Sequence, residues 1–442
     1  MSRTPTASPP LPHRPHADTE ARTRVEAAVR TVLTHWLDAP PPTTGTPADA
    51  ADPTDRPAAP GAGPAPVVLA LLLPESDRDL VAESLRTWLR RLPAPPPRHA
   101  GALTDGLAAR LAGLRLAARR APALGPLADR LDAALDTAAR AGHWSGSRRV
   151  FTDYDLIGGP AGVLLARAVA PPARPATPDP PRDPVTAHLL RLCARPDLAD
   201  LRLTGHADHP LNGWCHGRIN TGLGHGVAGV VAALASVVHR TPDDTEAAGA
   251  LARAAGWLAA RAEPGPDGAG PDGAGPITWP IADGTPPARS GRRAWCYGTP
   301  GIAWALRDAA DALAHAGLPV PGLRELADTA FASVARDPDP ASRFPVIEDG
   351  ADGAHLTVCH GAAGVLGLAD AFTRAAPAPD TPPGPASALR DRLRAHLLDH
   401  LDALVTLGRR DLTLPTGAAG ALTVLATSLN ADRTPLPLLA LR

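Results

Sequence analysis

The strongest constraint on this chain is periodic. Helices that are apolar on every side open on glycines near Gly159, Gly226, Gly298, Gly361 and Gly417, at intervals of 67, 72, 63 and 56 residues. Between them lie segments with a single apolar face, such as 245–262, 322–335 and 386–404. Spacing this regular signals a repeat built from helix pairs. A helix apolar all round belongs in an interior, and a one-faced helix belongs outside it. An inner ring wrapped by an outer ring, an all-α α/α toroid, satisfies both, and closure removes the need for polar end caps. Composition agrees: 44% of residues are hydrophobic but only 3% are aromatic, so the core is Ala, Leu and Val. Such a core suits close-packed helices better than a sheet.

Around these repeats the remaining segments fall into place. Residues 1–19, rich in Pro, Ser and His and without an apolar stretch, are expected to be a disordered tail. From 20 to 38, Val25, Ala28, Val29, Val32, Leu33 and Trp36 share one helical face. The Pro/Ala/Gly/Thr run 39–66 has no periodicity and reads as a loop excursion from one body, not a boundary between domains. An all-round apolar helix starts in 67–73, and a one-faced helix follows in 79–92. The Pro-rich runs 171–184, 263–276 and 376–385 read as further loops, so 20–442 is expected to be a single domain. A net charge of −1 gives no ground for a nucleic-acid or membrane-surface binder. No apolar run approaches the ~18 residues of a membrane span. Four cysteines in 442 residues do not make a disulfide framework, so a reduced, cytoplasmic protein is the expectation. It is expected to be a monomer.

If the inner helices run parallel, the residues just before each glycine share one rim. These are Asp155 in Tyr154-Asp155-Leu156-Ile157-Gly158-Gly159, His225 in Gly224-His225-Gly226-Val227-Ala228-Gly229, then Arg292 with Cys296, and Cys359 with His360. Cys296 lies in Trp295-Cys296-Tyr297-Gly298-Thr299-Pro300-Gly301, and Cys359 in the echo Cys359-His360-Gly361-Ala362-Ala363-Gly364. Two thiolates and an imidazole suit Zn²⁺ and leave a fourth position open, the catalytic arrangement. A helix N-terminus favours the thiolate form of each cysteine, and the metal would do the same for an incoming substrate thiol. At its rim position His225 suits an acid/base role. Asp155 and Arg292 are candidates in competition with Asp153 and Arg293, because charged residues also cap helix starts. Cys193 reads as a small buried hydrophobe. Trp214-Cys215-His216-Gly217 mixes both motifs, but Arg218-Ile219-Asn220 follows without a second glycine, so Cys215 reads as a loop residue.

These motifs resemble those of the lanthionine synthetase C-like (LanC) cyclases. Gly-His-Gly-Val-Ala-Gly around His225, Trp-Cys-Tyr-Gly-Thr-Pro-Gly around Cys296 and Cys-His-Gly-Ala-Ala-Gly around Cys359 occur in the family's order. The stretches at Asp155 and Gly417 match more loosely, and the likeness spans roughly 60–442. The resemblance implies an α/α toroid with one catalytic zinc held by Cys296, Cys359 and His360. It further implies that His225 is the acid/base residue, with Arg292, Asp155 and Tyr297 supporting it. The implied reaction adds peptide cysteine thiolates to dehydroalanine or dehydrobutyrine in a dehydrated precursor peptide, giving lanthionine or methyllanthionine rings. Implied partners are that peptide, a separate dehydratase and a transporter, which would place the chain at a membrane periphery through a complex. Two other readings stand beside this one: addition of glutathione or another small thiol to dehydroamino acids, and a non-catalytic zinc-binding scaffold of a modification complex.

The chain also departs from the pattern. The first repeat is degraded to Gly63-Pro64-Ala65-Pro66, and the 39–66 run is inflated.

Overall fold

The structure, a computed structural model, describes residues 15–40, 63–92, 103, 106–142, 144, 148–169, 182–210, 212–265, 276–285, 294–336, 344, 353–376 and 384–442. Among them, the inner helices are Ala65–Leu71, Leu107–Ala118, Pro160–Ala168, Val227–Arg240, Thr299–His315, Ala362–Arg374 and Ala418–Ser428. Each packs on the next, and the last packs on the first, which closes the expected α/α toroid. Every residue of 65–71 and of 418–428 is buried, as helices apolar on all sides require. Each Leu or Val so buried contributes roughly 1.5–3 kcal/mol.

Outer helices cover the ring, one on each inner helix except the last, which carries two. Arg78–Arg91 packs on 65–71, Gly125–Arg140 on 107–118, Pro184–Leu192 on 160–168, Thr245–Ala259 on 227–240, and Leu323–Ala335 on 299–315. Pro385–Asp399 packs on 362–374, while Leu401–Gly408 and the N-terminal helix Pro15–Asp38 both pack on 418–428. A largely enclosed cation helps tie inner to outer. Arg167 of 160–168 reaches Asp132 at 2.7 Å, Asp136 at 2.6 Å and Asp183 at 2.7 Å. A guanidinium this enclosed is tolerable only with such pairing. The only strands among the described residues are Glu263–Pro264 and Ile277–Thr278, antiparallel with Glu263 opposite Thr278.

Several boundaries differ from the sequence reading, and proline is the common cause. Residues 15–19, expected in the tail, belong to the first helix, which opens on Pro15 with Asp18 in its first turn. Ala65 and Pro66, Pro184, and Pro385 likewise open helices although the Pro-rich loops were expected to include them. Proline's fixed φ and missing N–H suit the first helical turn, so a Pro-rich run can end inside a helix. Glu263–Pro264 pairs with the strand beyond its loop and is not irregular. The segment 386–404 is two helices, because His400 (φ −110, ψ 22) breaks the run and turns its Nδ1 to the His396 carbonyl at 2.8 Å. The interiors of the four Pro-rich runs and the tail before Pro15 lie outside the described residues. No helix among the described residues is long and apolar enough to cross a membrane.

Candidate metal centre

Glycines shape each rim loop. A methyl on Gly301 would lie 2.1 Å from the Trp295 carbonyl oxygen, and one on Gly364 would lie 2.0 Å from that of Val358. The close approach these glycines permit is therefore chiefly to the repeat's own preceding loop. A neighbouring repeat comes second: the Gly364 methyl would also meet the Trp295 Cβ at 2.6 Å. Gly298 has a further reason to be glycine, since its φ of 97° is disfavoured for a residue with a side chain.

The rim loops are then bonded to one another around the ring. Leu156 N–H donates to the Gly224 carbonyl at 3.2 Å, and Leu223 N–H to that of Cys296 at 2.8 Å. Cys296 N–H donates to Cys359 at 3.4 Å, and Cys359 N–H to Pro415 at 2.8 Å. Every acceptor stands two residues before its repeat's helix-opening glycine. Cys296 and Cys359 occupy this position in consecutive repeats, so the backbone ladder itself brings them together.

One ligand atom each from Cys296, Cys359 and His360 lies within 4.8 Å of the others. Cys359 Sγ is 4.0 Å from His360 Nε2. Nitrogen and sulfur ligands of a tetrahedral zinc stand about 3.5–3.8 Å apart, so the three fit with side-chain shifts of under about 1 Å. The donor set is that of zinc, two soft thiolates and an imidazole. Cys296 is buried, Cys359 half-buried and His360 exposed, which leaves the outer side of the cluster facing solvent. A hydrogen bond from the Cys296 thiol, aided by His360, holds the Cys359 thiol well below its ordinary value despite burial.

Beside the cluster stands a carboxylate–imidazole pair. His225 Nδ1 lies 2.6 Å from Asp155 Oδ2, with Asp155 fully buried and the His225 side chain 26% exposed. The other carboxylate oxygen accepts from Gly158 N–H at 2.8 Å, so Asp155 is held at both ends. The Phe151 ring packs on the imidazole at 5.0 Å between centroids. His225 is close enough to Cys359 to help lower its pKa. Asp153 goes elsewhere: it caps Val150 N–H at 2.9 Å and pairs with Arg149 at 3.6 Å. Between the two carboxylates that competed for this place, Asp155 is the one that meets His225.

Tyr297 borders the same site. Its hydroxyl accepts from Asn220 Nδ2 at 3.0 Å, and burial pushes its pKa up. Arg292 and Arg293 lie outside the described residues. Cys193 is a fully buried thiol raised to about 12 by burial, as a packing residue should be. Cys215 stands apart from the metal-ligating group, in the short 3-10 helix Gly213–Cys215, its thiol donating to the Asn212 carbonyl at 2.7 Å.

Asn220 and Phe151 touch the site and are not among the residues expected from sequence. Asn220 had a signal, because it stands six residues before Gly226. The same offset holds Asp153, Arg292, His355 and Asp411 before the other glycines, a polar residue each time. Phe151 had none, since its contact with His225 spans two repeats.

Comparison with known proteins agrees with this architecture. Nisin cyclase, a solved structure, superposes with a TM-score of 0.68 over 95% of this chain and 98% of its own, at 16% sequence identity, which is a likeness of fold. No curated protein matches the chain. A family model described as lanthionine synthetase C-like protein matches residues 61–439, all five glycine-opened helices included. The chain belongs to the lanthionine synthetase C-like family.

Proposed function

We propose that this protein is a zinc-dependent cyclase that closes thioether rings in a dehydrated peptide. The observation that carries the proposal is the convergence of Cys296, Cys359 and His360, open to solvent on one side, with the His225–Asp155 pair beside them. Family membership and the nisin cyclase fold support the same reading. Cys296, Cys359 and His360 would hold the metal. Bound zinc supplies a Lewis acid that lowers the pKa of an incoming peptide thiol.

The chain's own residues would do the rest. Asp155 takes the Nδ1–H of His225 and fixes the tautomer, so Nε2 is the nitrogen that exchanges protons. His225 Nε2 accepts the thiol proton as sulfur attacks Cβ of dehydroalanine or dehydrobutyrine. The C–S bond forms, the Cα–Cβ π electrons pass to Cα and its carbonyl as an enolate, and His225 returns the proton to Cα. The proton balance closes within one turnover. Tyr297, held by Asn220, borders the space where the enolate develops, and Arg292 would add positive charge there. The substrate requires prior dehydration of serine or threonine, so a dehydrating enzyme acts upstream.

His225→Ala should keep its fold and metal yet close rings about a hundredfold or more slower, the usual range for a lost acid/base group. Free thiols counted by alkylation and mass spectrometry on a dehydrated peptide check this. Undiminished closure would remove His225 from the mechanism, and equal turnover with free glutathione would replace the peptide thiol as donor.

A further inference from the structure

Residues 436–441 lie inside the ring. Leu436, Leu438, Leu439 and Leu441 are each at most 2% exposed. The segment packs on helix 160–168, and the Leu441 side chain sits against Gly367 of helix 362–374. Two indoles grip its backbone: Trp295 Nε1 donates to the Leu439 carbonyl at 2.9 Å, and Trp304 Nε1 to the Ala440 carbonyl at 2.8 Å. Between those carbonyls the chain takes a left-handed turn at Ala440 (φ 54°), a conformation that costs a residue with a side chain and needs surrounding contacts to persist.

Trp295 immediately precedes the metal-site residue Cys296. The same rim position in the other repeats holds Leu156, Leu223, Val358 and Leu414, which have no side-chain donor. All five are buried at 2% exposure or less. An aliphatic side chain therefore suffices to pack this position, and packing alone does not account for an indole at 295. What the indole adds is a bond across the ring to the 436–441 segment, made only by the repeat that carries the first cysteine. The Cys296 carbonyl accepts from Leu223 and Gly224 on one side, but the contact from its N–H to Cys359 is the longest of the ladder at 3.4 Å. The indole bond matters because the side that faces the second ligand is thus held least closely.

We propose that the 436–441 segment positions Cys296 for metal through the Trp295 indole, which makes Trp295 a positioning residue and the segment part of the metal site's support. The proposal rests on reading Cys296, Cys359 and His360 as the zinc site. Groups that orient metal ligands typically govern affinity by about 10–100-fold.

The test compares two substitutions that remove the same kind of bond from adjacent carbonyls. Zinc affinity is measured by chelator competition, and the Co²⁺ d–d spectrum is recorded, for wild type, Trp295→Phe and Trp304→Phe. Trp295→Phe should weaken zinc about tenfold and shift the Co²⁺ bands, whereas Trp304→Phe should leave both within about twofold. Equal effects of the two, or no effect of Trp295→Phe, overturns the proposal while leaving the metal site standing. Absence of zinc binding by wild type overturns the metal site and the proposal together. If Trp295→Phe does not fold, Leu441→Ala loosens the segment with the indole intact. About threefold weaker zinc then supports the proposal, and unchanged affinity overturns it.

Discussion

Trp214–Gly217 and Trp295–Gly298 share the pattern Trp-Cys-x-Gly, yet the structure gives them opposite fates. Both glycines have positive φ, 74° at Gly217 and 97° at Gly298. Trp214 is 44% exposed, whereas Trp295 is fully buried and bonded across the ring. The Cys215 thiol donates to a carbonyl of its own turn and is pushed up to about 11 by burial, while Cys296 meets a second cysteine. The tetrapeptide therefore does not make the site. What separates the two is the residue three after the glycine. Gly301 allows its helix to fold back over the Trp295 carbonyl, whereas Asn220 stands at the corresponding place after Gly217.

The comparison breaks most visibly through the metal. Cys296→Ala, Cys359→Ala and His360→Ala should each lower the zinc content from about one per chain toward none, while Cys215→Ala keeps it, as read by atomic emission on purified protein. Zinc lost only in Cys215→Ala would reverse the assignment of the two motifs. Next comes the glycine. Gly301→Ala should destabilise by about 3 kcal/mol or more, because the new methyl meets a backbone carbonyl that cannot move alone. Gly217→Ala has open space around it and pays only for its backbone conformation, about 1 kcal/mol, so denaturant midpoints should separate the two clearly. The smallest effect concerns pH. A thiol whose folded pKa lies above its unfolded value near 9 contributes stability below pH 9 that is lost as pH rises toward about 11. Wild type should thus lose stability over that window, and Cys215→Ala should recover part of it. Cys193 and the buried phenols of Tyr154 and Tyr297, all raised by burial, contribute to the remainder.

Legibility followed the physics of each signal. The inner helices opened by Gly159, Gly226, Gly298, Gly361 and Gly417 are visible in sequence because burial on all sides leaves no room for a polar face. Helix 107–118 escapes that criterion, since Arg110 and Arg115 interrupt its apolar run although both are buried. Arg115 is neutralised by Asp129 at 2.7 Å and Asp132 at 3.4 Å on the outer helix, a pairing with no local pattern. Closure of 418–428 onto 65–71 is expected from the repeat pattern as a whole, but no local pattern marks which two distant helices make the contact. In the site, the cysteines and His360 announce themselves by matched context. Sequence left Asp155 and Asp153 level, because either could cap a turn, and only the fold shows which one reaches His225.

The ladder of rim hydrogen bonds runs in one direction, each loop donating to the carbonyl two residues before the next repeat's glycine. Such a ring works as a set of addresses. The acceptors in chain order are Gly224, Cys296, Cys359 and Pro415, each taking a backbone bond from the loop before it. Two successive addresses hold thiols, and it is the side chains around them, His360 and the Trp295 indole among them, that set this place apart from the others. The ring and its ligand set are therefore separable in this architecture. A lineage could lose the two thiols by substitution while the toroid itself remains as it was.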